Sequence, residues 1–188
     1  MGAPMIGSNI HRDPRHKIIP DYTALAEAAR GLRAIGHKVA MTIGSWDLLH
    51  IGHVRYLNIA KARGDMLIVG VDTDRAIKLY KGPLRPVVPY EERCEMLSYQ
   101  TCVDLITPVD DVNDAGKWQY GLIQAVRPDV FVAVQDSYPE SQLEEIRRHC
   151  GEVVVLPRQA QNTSTTNLVQ GAVKKHLDQM YSLLEKRA

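Results

Sequence analysis

Two histidines, His50 and His53, lie three residues apart in the segment 44–53, Gly-Ser-Trp-Asp-Leu-Leu-His-Ile-Gly-His. At this spacing both side chains face the same side of a helical turn, and Gly52 between them lets a ligand approach the backbone closely. The apolar run 38–43 before the segment predicts a buried strand, and apolar residues at helical spacing follow it. The histidines are therefore predicted at a strand-to-helix turn, where free N–H groups of the helix bind anions such as phosphate.

Two other interpretations of the pair stay open on spacing alone. The imidazoles are compatible with a pair of solvated surface side chains, or with half of a metal site. A zinc site needs three or four ligands, and no neighbouring cysteine or histidine convincingly completes one. The choice between an anion site, a surface pair and a metal site depends on which other side chains the neighbouring strands and helices place beside the histidines.

Segments typical of strands and helices alternate along the whole chain. Continuous apolar runs predict strands over 38–43, 65–71, 103–106, 130–134 and 153–156. Apolar residues at helical spacing, caps and turn residues predict helices over 22–35, 51–63, 89–98, 118–126, 139–150 and 164–184. The segment from Lys78 to Pro86, rich in Lys, Gly and Pro, is predicted to be a loop. This alternation predicts an α/β fold, a single doubly wound parallel sheet of five strands.

Length and composition limit the possible function classes. The 188 residues fit one domain. With 23 basic and 22 acidic residues, the net charge of +1 argues against nucleic-acid binding by bulk charge. The sequence contains no run of about 18 apolar residues, so no membrane-spanning helix is predicted. Three cysteines without a CxxC pair are typical of reduced thiols, which favours a cytoplasmic protein.

The first twenty residues differ in composition from the rest of the chain. They are polar, contain three prolines and have no apolar signal core. We therefore predict a flexible N-terminal tail over residues 1–20, followed by the folded domain over 21–188.

Polar side chains follow four of the predicted strands. In an open parallel sheet, ligands bind above the carboxyl ends of the strands, so these side chains are expected to lie close together. Each has a simpler explanation as a cap or a solvated loop residue, but their common placement predicts a site for phosphates. The candidates are His50, His53, Asp74, Lys78, Asp136, Arg158 and Ser164.

Three sequence blocks, in this order, carry a resemblance to a known family. The first is Gly44-x-x-Asp47-x-x-His50-x-Gly52-His53, the second runs from Lys78 through Lys81-Gly82-Pro83 to Arg93, and the third is Ser164-Thr165-Thr166. Over about residues 25–180 the chain resembles the HxGH nucleotidyltransferase superfamily, in its cytidylyltransferase-like branch. The resemblance implies a Rossmann-like nucleotidyltransferase fold, and a reaction in which a phosphate-bearing substrate attacks the α-phosphate of a nucleoside triphosphate and releases pyrophosphate.

The same resemblance implies roles for individual residues. Catalytic contacts to the phosphates are expected from His50, His53, Lys78 and Arg158. Nucleotide binding is expected from Ile43, Gly44, Ser45, Asp47, Gly52, Asp136, Ser164, Thr165 and Thr166. Substrate binding is expected from Asp74, Lys81 and Arg93. Mg²⁺ is expected to accompany the triphosphate, and relatives of this kind are commonly homodimers.

The choice of nucleotide and acceptor rests on finer similarities. The segments 85–89 and 164–168 resemble the adenylyltransferases that use ATP to activate D-glycero-β-D-manno-heptose 1-phosphate. Leu156-Pro157-Arg158 and Lys81-Gly82-Pro83 are similar instead to the CTP-dependent enzymes for glycerol 3-phosphate and phosphoethanolamine. The chain departs from these families at 134–138 and 159–162.

We therefore expect an adenylyltransferase acting on a phosphorylated sugar, with a CTP-dependent cytidylyltransferase for a phosphorylated alcohol as the alternative. Two further hypotheses stay open. One is a nucleotide-binding protein that has lost catalysis, and the other is a relative that adenylylates a substrate of the FAD or pantothenate pathway.

Overall fold

A parallel five-stranded sheet forms the centre of the protein, as the computed structural model describes it over residues 13–185. The strand order is β3-β2-β1-β4-β5, which confirms the doubly wound α/β fold predicted from the sequence. The strands are β1 (Val39–Gly44), β2 (Met66–Asp72), β3 (Leu105–Val109), β4 (Val130–Val134) and β5 (Glu152–Leu156).

Helices cover both faces of this sheet, as expected for strands that are apolar on both sides. One core cluster includes residues of α2 and α4, and the other includes residues of α1, α5 and α6. The helices are α1 (Tyr22–Ala34), α2 (Ile51–Lys61), α3 (Asp74–Lys81), α4 (Tyr90–Ser98), α5 (Gly121–Val126), α6 (Glu140–Arg147) and α7 (Thr165–Glu185).

The sheet opens between its central strands β1 and β4. β1 pairs with β2 along its whole length, but its register with β4 covers only Ala40 and Met41. The buried Tyr56 of α2 occupies the opening, where its hydroxyl donates to the Val132 carbonyl at 2.7 Å and lies 2.7 Å from Thr42 Oγ1. Because the strand order reverses at this position, the opening is where such sheets bind ligands.

Several predicted elements differ from the structure in type or bounds. The strand predicted over 103–106 spans Leu105–Val109, and the helix predicted over 139–150 spans Glu140–Arg147. The predicted loop Lys78–Pro86 begins inside helix α3, which spans Asp74–Lys81. Thr73 caps this helix by accepting the Ala76 N–H, and Ala76 and Ile77 are buried. The prediction was wrong because the Lys, Gly and Pro residues of this segment are typical of a loop, although apolar residues also occur along the helix. The helix predicted from residue 118 begins at Gly121, so Trp118 lies in the preceding loop.

The predicted flexible tail falls partly on residues 1–12, which lie outside the described residues. Residues 13–20 make defined contacts, whereas the sequence predicted a loose segment. A 3₁₀ helix spans Pro14–Lys17, and the Ile19 N–H donates to the Ile106 carbonyl of β3 at 2.7 Å. Within residues 13–185, no helix combines the length and apolar content that crossing a membrane requires.

Replacing Tyr56 by Phe tests the bridge across the sheet opening. We expect the free energy of unfolding to fall by about 1–3 kcal/mol, because the buried Val132 carbonyl loses its tyrosine donor. Chemical denaturation followed by circular dichroism measures the change. Tyr99→Phe, at an exposed hydroxyl that donates to Glu95, is the matched control and should change stability little. Equal stability of Tyr56→Phe and wild type would contradict the bridging role.

Candidate active site

A cavity of about 940 Å³ lies above the carboxyl ends of the strands. Its volume is at the upper end of the range for ligand pockets, which suits two substrates bound together. Most of the predicted site residues line it, namely Ile43, Gly44, Ser45, His50, Gly52, His53, Lys81, Asp136, Arg158, Ser164, Thr165 and Thr166.

The two histidines are oriented by the first turn of α2. His50 is the N-cap, and its Nδ1 accepts the Gly52 N–H at 3.1 Å. The His50 backbone N–H in turn donates to Nδ1 of His53 at 3.4 Å. The rings stack with their centroids 3.9 Å apart. Because each Nδ1 is an acceptor, the proton of each neutral ring belongs on Nε2.

Burial controls the charge of this pair. It lowers the pKa of His50, and it lowers the pKa of His53 to about 3, with repulsion from His50 and Lys81 adding to the effect. Both rings are therefore neutral near pH 7 in the unliganded protein. They offer Nε2–H groups as hydrogen-bond donors to an anion, and they need not carry a positive charge to do so.

Trp46 fixes the turn that carries the histidines, although the sequence did not identify it as a site residue. Its backbone has a left-handed φ of 52°, an uncommon conformation for a bulky side chain. The buried indole Nε1 donates to the Gly70 carbonyl of β2 at 2.9 Å, and the ring lies edge-on to His53 with centroids 5.6 Å apart. The only sequence signal was an aromatic residue within the histidine segment.

Asp47, predicted to bind nucleotide, is instead fully buried and positions a loop. Its carboxylate accepts the backbone N–H groups of Val87 and Val88 at 3.0 Å and pairs with the Arg85 guanidinium at 2.8 Å. These bonds occupy both carboxylate oxygens of Asp47. The side chain is not among the cavity-lining residues that the structure describes. The same bonds hold Arg85, which the sequence analysis missed, at the cavity wall with its Nε unpartnered among the described residues.

Arg93 and Asp74, predicted to bind substrate, are likewise not among the cavity-lining residues of the described chain. Arg93 is 1% exposed and donates to the carbonyls of Ser45 at 2.5 Å and Val88 at 3.0 Å. Its third contact is to Asp74 Oδ1 at 2.7 Å. Each of the three guanidinium nitrogens thus makes one hydrogen bond, and together these bonds tie three segments of the chain to one another.

Two lysines of α3 have different positions. Lys78, predicted as catalytic, is exposed and is not among the cavity-lining residues of the described chain. Lys81, at the end of the helix, lines the cavity, and its Nζ donates to Ser45 Oγ at 2.8 Å. Both lysines lie in the last turn of α3, and of the two it is Lys81, the final residue of the helix, that lines the cavity.

The start of α7 forms the opposite wall. Ser164 Oγ accepts the Asn167 N–H at 3.1 Å, which is the bond of an N-cap. Thr165 donates its hydroxyl to the Asp47 carbonyl at 2.7 Å, so this side chain joins α7 to the histidine segment. Ser164, Thr166 and the free N–H groups of the helix remain to face an anion.

The segment 134–138, where the sequence departs from its predicted relatives, closes the end of β4. Asp136 has a left-handed φ of 65° and lines the cavity. Tyr138 stacks edge-on against Phe131, and its hydroxyl is 3.3 Å from the Ile43 carbonyl, which accepts from it. Tyr138 thus links the segment after β4 to the end of β1, and Asp136 keeps an acidic side chain at the cavity.

A buried carboxylate at the end of β2, Asp72, was also missed, because it resembles an ordinary strand-end residue. Its Oδ2 accepts the hydroxyl of Tyr80, whereas its Oδ1 has no hydrogen-bond partner among the described residues. Burial raises the pKa of Asp72 to about 6, although Tyr80, Lys81 and Arg93 lower it. This carboxylate lines the cavity beside Tyr80 and Lys81.

Comparison with known proteins shows the family of this chain. A model of the cytidylyltransferase-like family matches residues 41–175. The bifunctional protein HldE of Trichlorobacter lovleyi is 32% identical over 90% of this chain and 33% of its own length, and HldE of Caulobacter sp. is 39% identical over 85% and 32%. The chain spans about one third of the length of these curated relatives.

Solved structures share the fold. A lipopolysaccharide core biosynthesis protein from Thermoplasma volcanium has a TM-score of 0.56 and 24% identity, covering 65% of this chain and 98% of its own. Pantoate–β-alanine ligase from Francisella tularensis has a TM-score of 0.53 and 12% identity, covering 77% and 67%.

Asp72→Asn should make the protein more stable near neutral pH. The folded pKa of about 6 lies above the ordinary value of 3.8, so the ionised carboxylate opposes folding by about 3 kcal/mol at pH 7. The difference in Tm between variant and wild type should reach its maximum above pH 6. It should shrink as the pH falls towards 4, where Asp72 becomes protonated in the folded and the unfolded protein.

Thermal unfolding of both proteins at pH 7.5, 6 and 5 measures this difference. Asp129→Asn is the control, since that carboxylate accepts the Val39 N–H at the amino ends of the strands, away from the cavity. It should not raise Tm. A lower Tm for Asp72→Asn at pH 7.5 would show that the carboxylate stabilises the fold.

Proposed function

This chain belongs to the cytidylyltransferase-like family, and from that premise we propose that it is a nucleotidyltransferase that transfers AMP from ATP to a phosphorylated sugar of the heptose 1-phosphate type and releases pyrophosphate. The observation that carries the proposal is the arrangement of phosphate-binding groups in one cavity. Two imidazole donors line the same cavity as Lys81, Arg85, Arg158 and the start of α7.

The proposed reaction needs positioning and charge stabilisation rather than covalent catalysis by the protein. A phosphate oxygen of the acceptor attacks the α-phosphorus of ATP, and the bond to the β-phosphate oxygen breaks. The acceptor phosphate is already ionised near pH 7, so no general base is required. The Nε2–H groups of His50 and His53 stabilise the charge that develops on the transferring phosphoryl group.

The remaining cations divide between the two sides of the cavity. Lys81 and Arg85, which lie in the segment that follows β2 along the chain, would bind the acceptor phosphate. Arg158 after β5, with Ser164 and Thr166 at the start of α7, would bind the β- and γ-phosphates that leave as pyrophosphate. This division places the nucleotide towards β4 and β5 and the acceptor towards β2.

Mg²⁺ enters the proposal as part of the nucleotide substrate, where it would neutralise phosphate charge. Among residues 13–185, no group of three or more His, Cys, Asp or Glu side chains is placed to hold a metal ion. The triphosphate oxygens would therefore supply most of its ligands, and no step assigned to the protein runs through it.

The choice of ATP and a sugar phosphate is supported by the similarity to HldE proteins over most of this chain. The residues Leu156-Pro157-Arg158 and Lys81-Gly82-Pro83 favour the second candidate, a CTP-dependent enzyme for a phosphorylated alcohol. We also propose that the protein is cytoplasmic, in keeping with its free cysteines, and that it is a homodimer, in keeping with the apolar side chains that α7 exposes.

Pyrophosphate release with ATP or CTP, across a panel of phosphorylated sugars and alcohols, tests the function. We expect turnover with ATP and heptose 1-phosphate, and a loss of about 100-fold or more in rate for His53→Ala, which removes one contact to the transition state. No turnover with any pair, while nucleotide still binds, would favour the non-catalytic alternative. A near-normal rate for His53→Ala would remove its proposed role.

Lys81→Ala and Lys78→Ala form a matched pair on one helix. We expect Lys81→Ala to lower kcat/KM by about 10-fold or more, because a charged contact to phosphate is lost. Lys78→Ala should stay within about 2-fold, since Lys78 is exposed and does not line the cavity. Steady-state kinetics at fixed ionic strength measures both, and an equal loss in the two variants would contradict the assignment.

A further inference from the structure

One side of the cavity carries groups that a phosphate does not need. At the end of β2 lie the carboxylate of Asp72, the phenol of Tyr80 and the indole of Trp118. We propose that these three side chains bind the hydroxyl-bearing part of the acceptor, so that the protein selects a polyhydroxylated sugar phosphate over a simple phosphorylated alcohol. This inference rests on the proposed nucleotidyltransferase function.

The hydrogen-bonding capacity of Asp72 is the first argument. The side chain is 2% exposed, and only its Oδ2 has a partner, the Tyr80 hydroxyl. Its Oδ1 is buried without a donor among the described residues. Buried carboxylate oxygens in folded proteins are normally paired because an unpaired one is costly. A hydroxyl group on a ligand is the kind of donor that this oxygen lacks.

Tyr80 and Trp118 supply the second argument. Their rings lie 6.0 Å apart at 47° and line the same wall as Asp72. Tyr80 is partly exposed, and its donated hydroxyl keeps an oxygen lone pair for a second hydrogen bond. An aromatic wall next to a carboxylate matches a sugar ring, which presents C–H groups on its faces and hydroxyl groups around its edge.

The position of Lys81 supplies the third argument. Its Nζ lies 5.5 Å from the centre of the Tyr80 ring. Lys81 follows Tyr80 directly in the sequence, and the Tyr80 hydroxyl contacts Asp72. The proposed phosphate contact and the proposed hydroxyl contacts are thus joined by one helix end. A sugar phosphate seated with its phosphate at Lys81 would place its ring against Tyr80 and Asp72, whereas glycerol 3-phosphate or phosphoethanolamine offers fewer hydroxyl groups to this wall.

Kinetics of Asp72→Asn and Tyr80→Phe test the inference. With D-glycero-β-D-manno-heptose 1-phosphate we expect KM for the sugar to rise by about 10-fold or more in Asp72→Asn, the loss expected for a hydrogen bond to a charged group. KM for ATP should stay within about 2-fold, and KM for glycerol 3-phosphate should change less than KM for the sugar. Tyr80→Phe should show the same pattern with a smaller change. Asp129→Asn, distant from the cavity, should match wild type.

The outcomes separate the inference from the proposed function. If wild type turns over the sugar and Asp72→Asn has an unchanged KM for it, or a raised KM for ATP instead, the inference is overturned and the function stands. If wild type releases no pyrophosphate with any pair, the function fails, and calorimetric binding of heptose 1-phosphate decides the inference. Binding that weakens in Asp72→Asn supports it, whereas equal affinity or no binding to wild type overturns it.

Discussion

The carboxylate of Asp47 is the interaction on which the rest of the site depends. It is fully buried and receives two backbone N–H groups from Val87 and Val88 and an ion pair from Arg85. The carbonyl of the same residue accepts the Thr165 hydroxyl. One residue therefore connects the histidine segment, the loop before α4 and the start of α7. A buried charge is tolerated only with such complete pairing, so these three segments are mutually constrained.

A second constraint explains why the cavity lies where it does. The backbone hydrogen bonds between β1 and β4 do not continue to the carboxyl ends of these strands. Instead, the Tyr56 hydroxyl lies between Thr42 of β1 and Val132 of β4 and bridges them. The same α2 helix begins with His50 and carries His53 on its first turn. Its packing against the sheet thus fixes both the opening and the orientation of the imidazoles above it.

The sequence predicted most of the fold and part of the site. Continuous apolar runs predict the buried strands, and the histidine spacing predicts the helix start at which both imidazoles line the cavity. Spacing cannot tell whether a charged side chain lines a cavity or pairs with other groups of the protein. Asp47, Asp74 and Arg93, predicted to bind ligands, form ion pairs within the protein and are not among the cavity-lining residues of the part of the chain described. Asp72 was missed for the opposite reason, since its unpaired oxygen depends on long-range packing that no local pattern encodes.

Charge in the site follows from how burial treats acids and bases. Burial lowers the pKa of His53 and raises that of Asp72, so it favours the neutral form of each. The lasting positive charge then comes from Lys81, Arg85 and Arg158, at positions where phosphates would lie. A triphosphate entering this cavity would stabilise protonated imidazole and would itself be stabilised by these cations. The apolar packing that orients the imidazoles therefore also leaves them able to respond to the charge of the substrate.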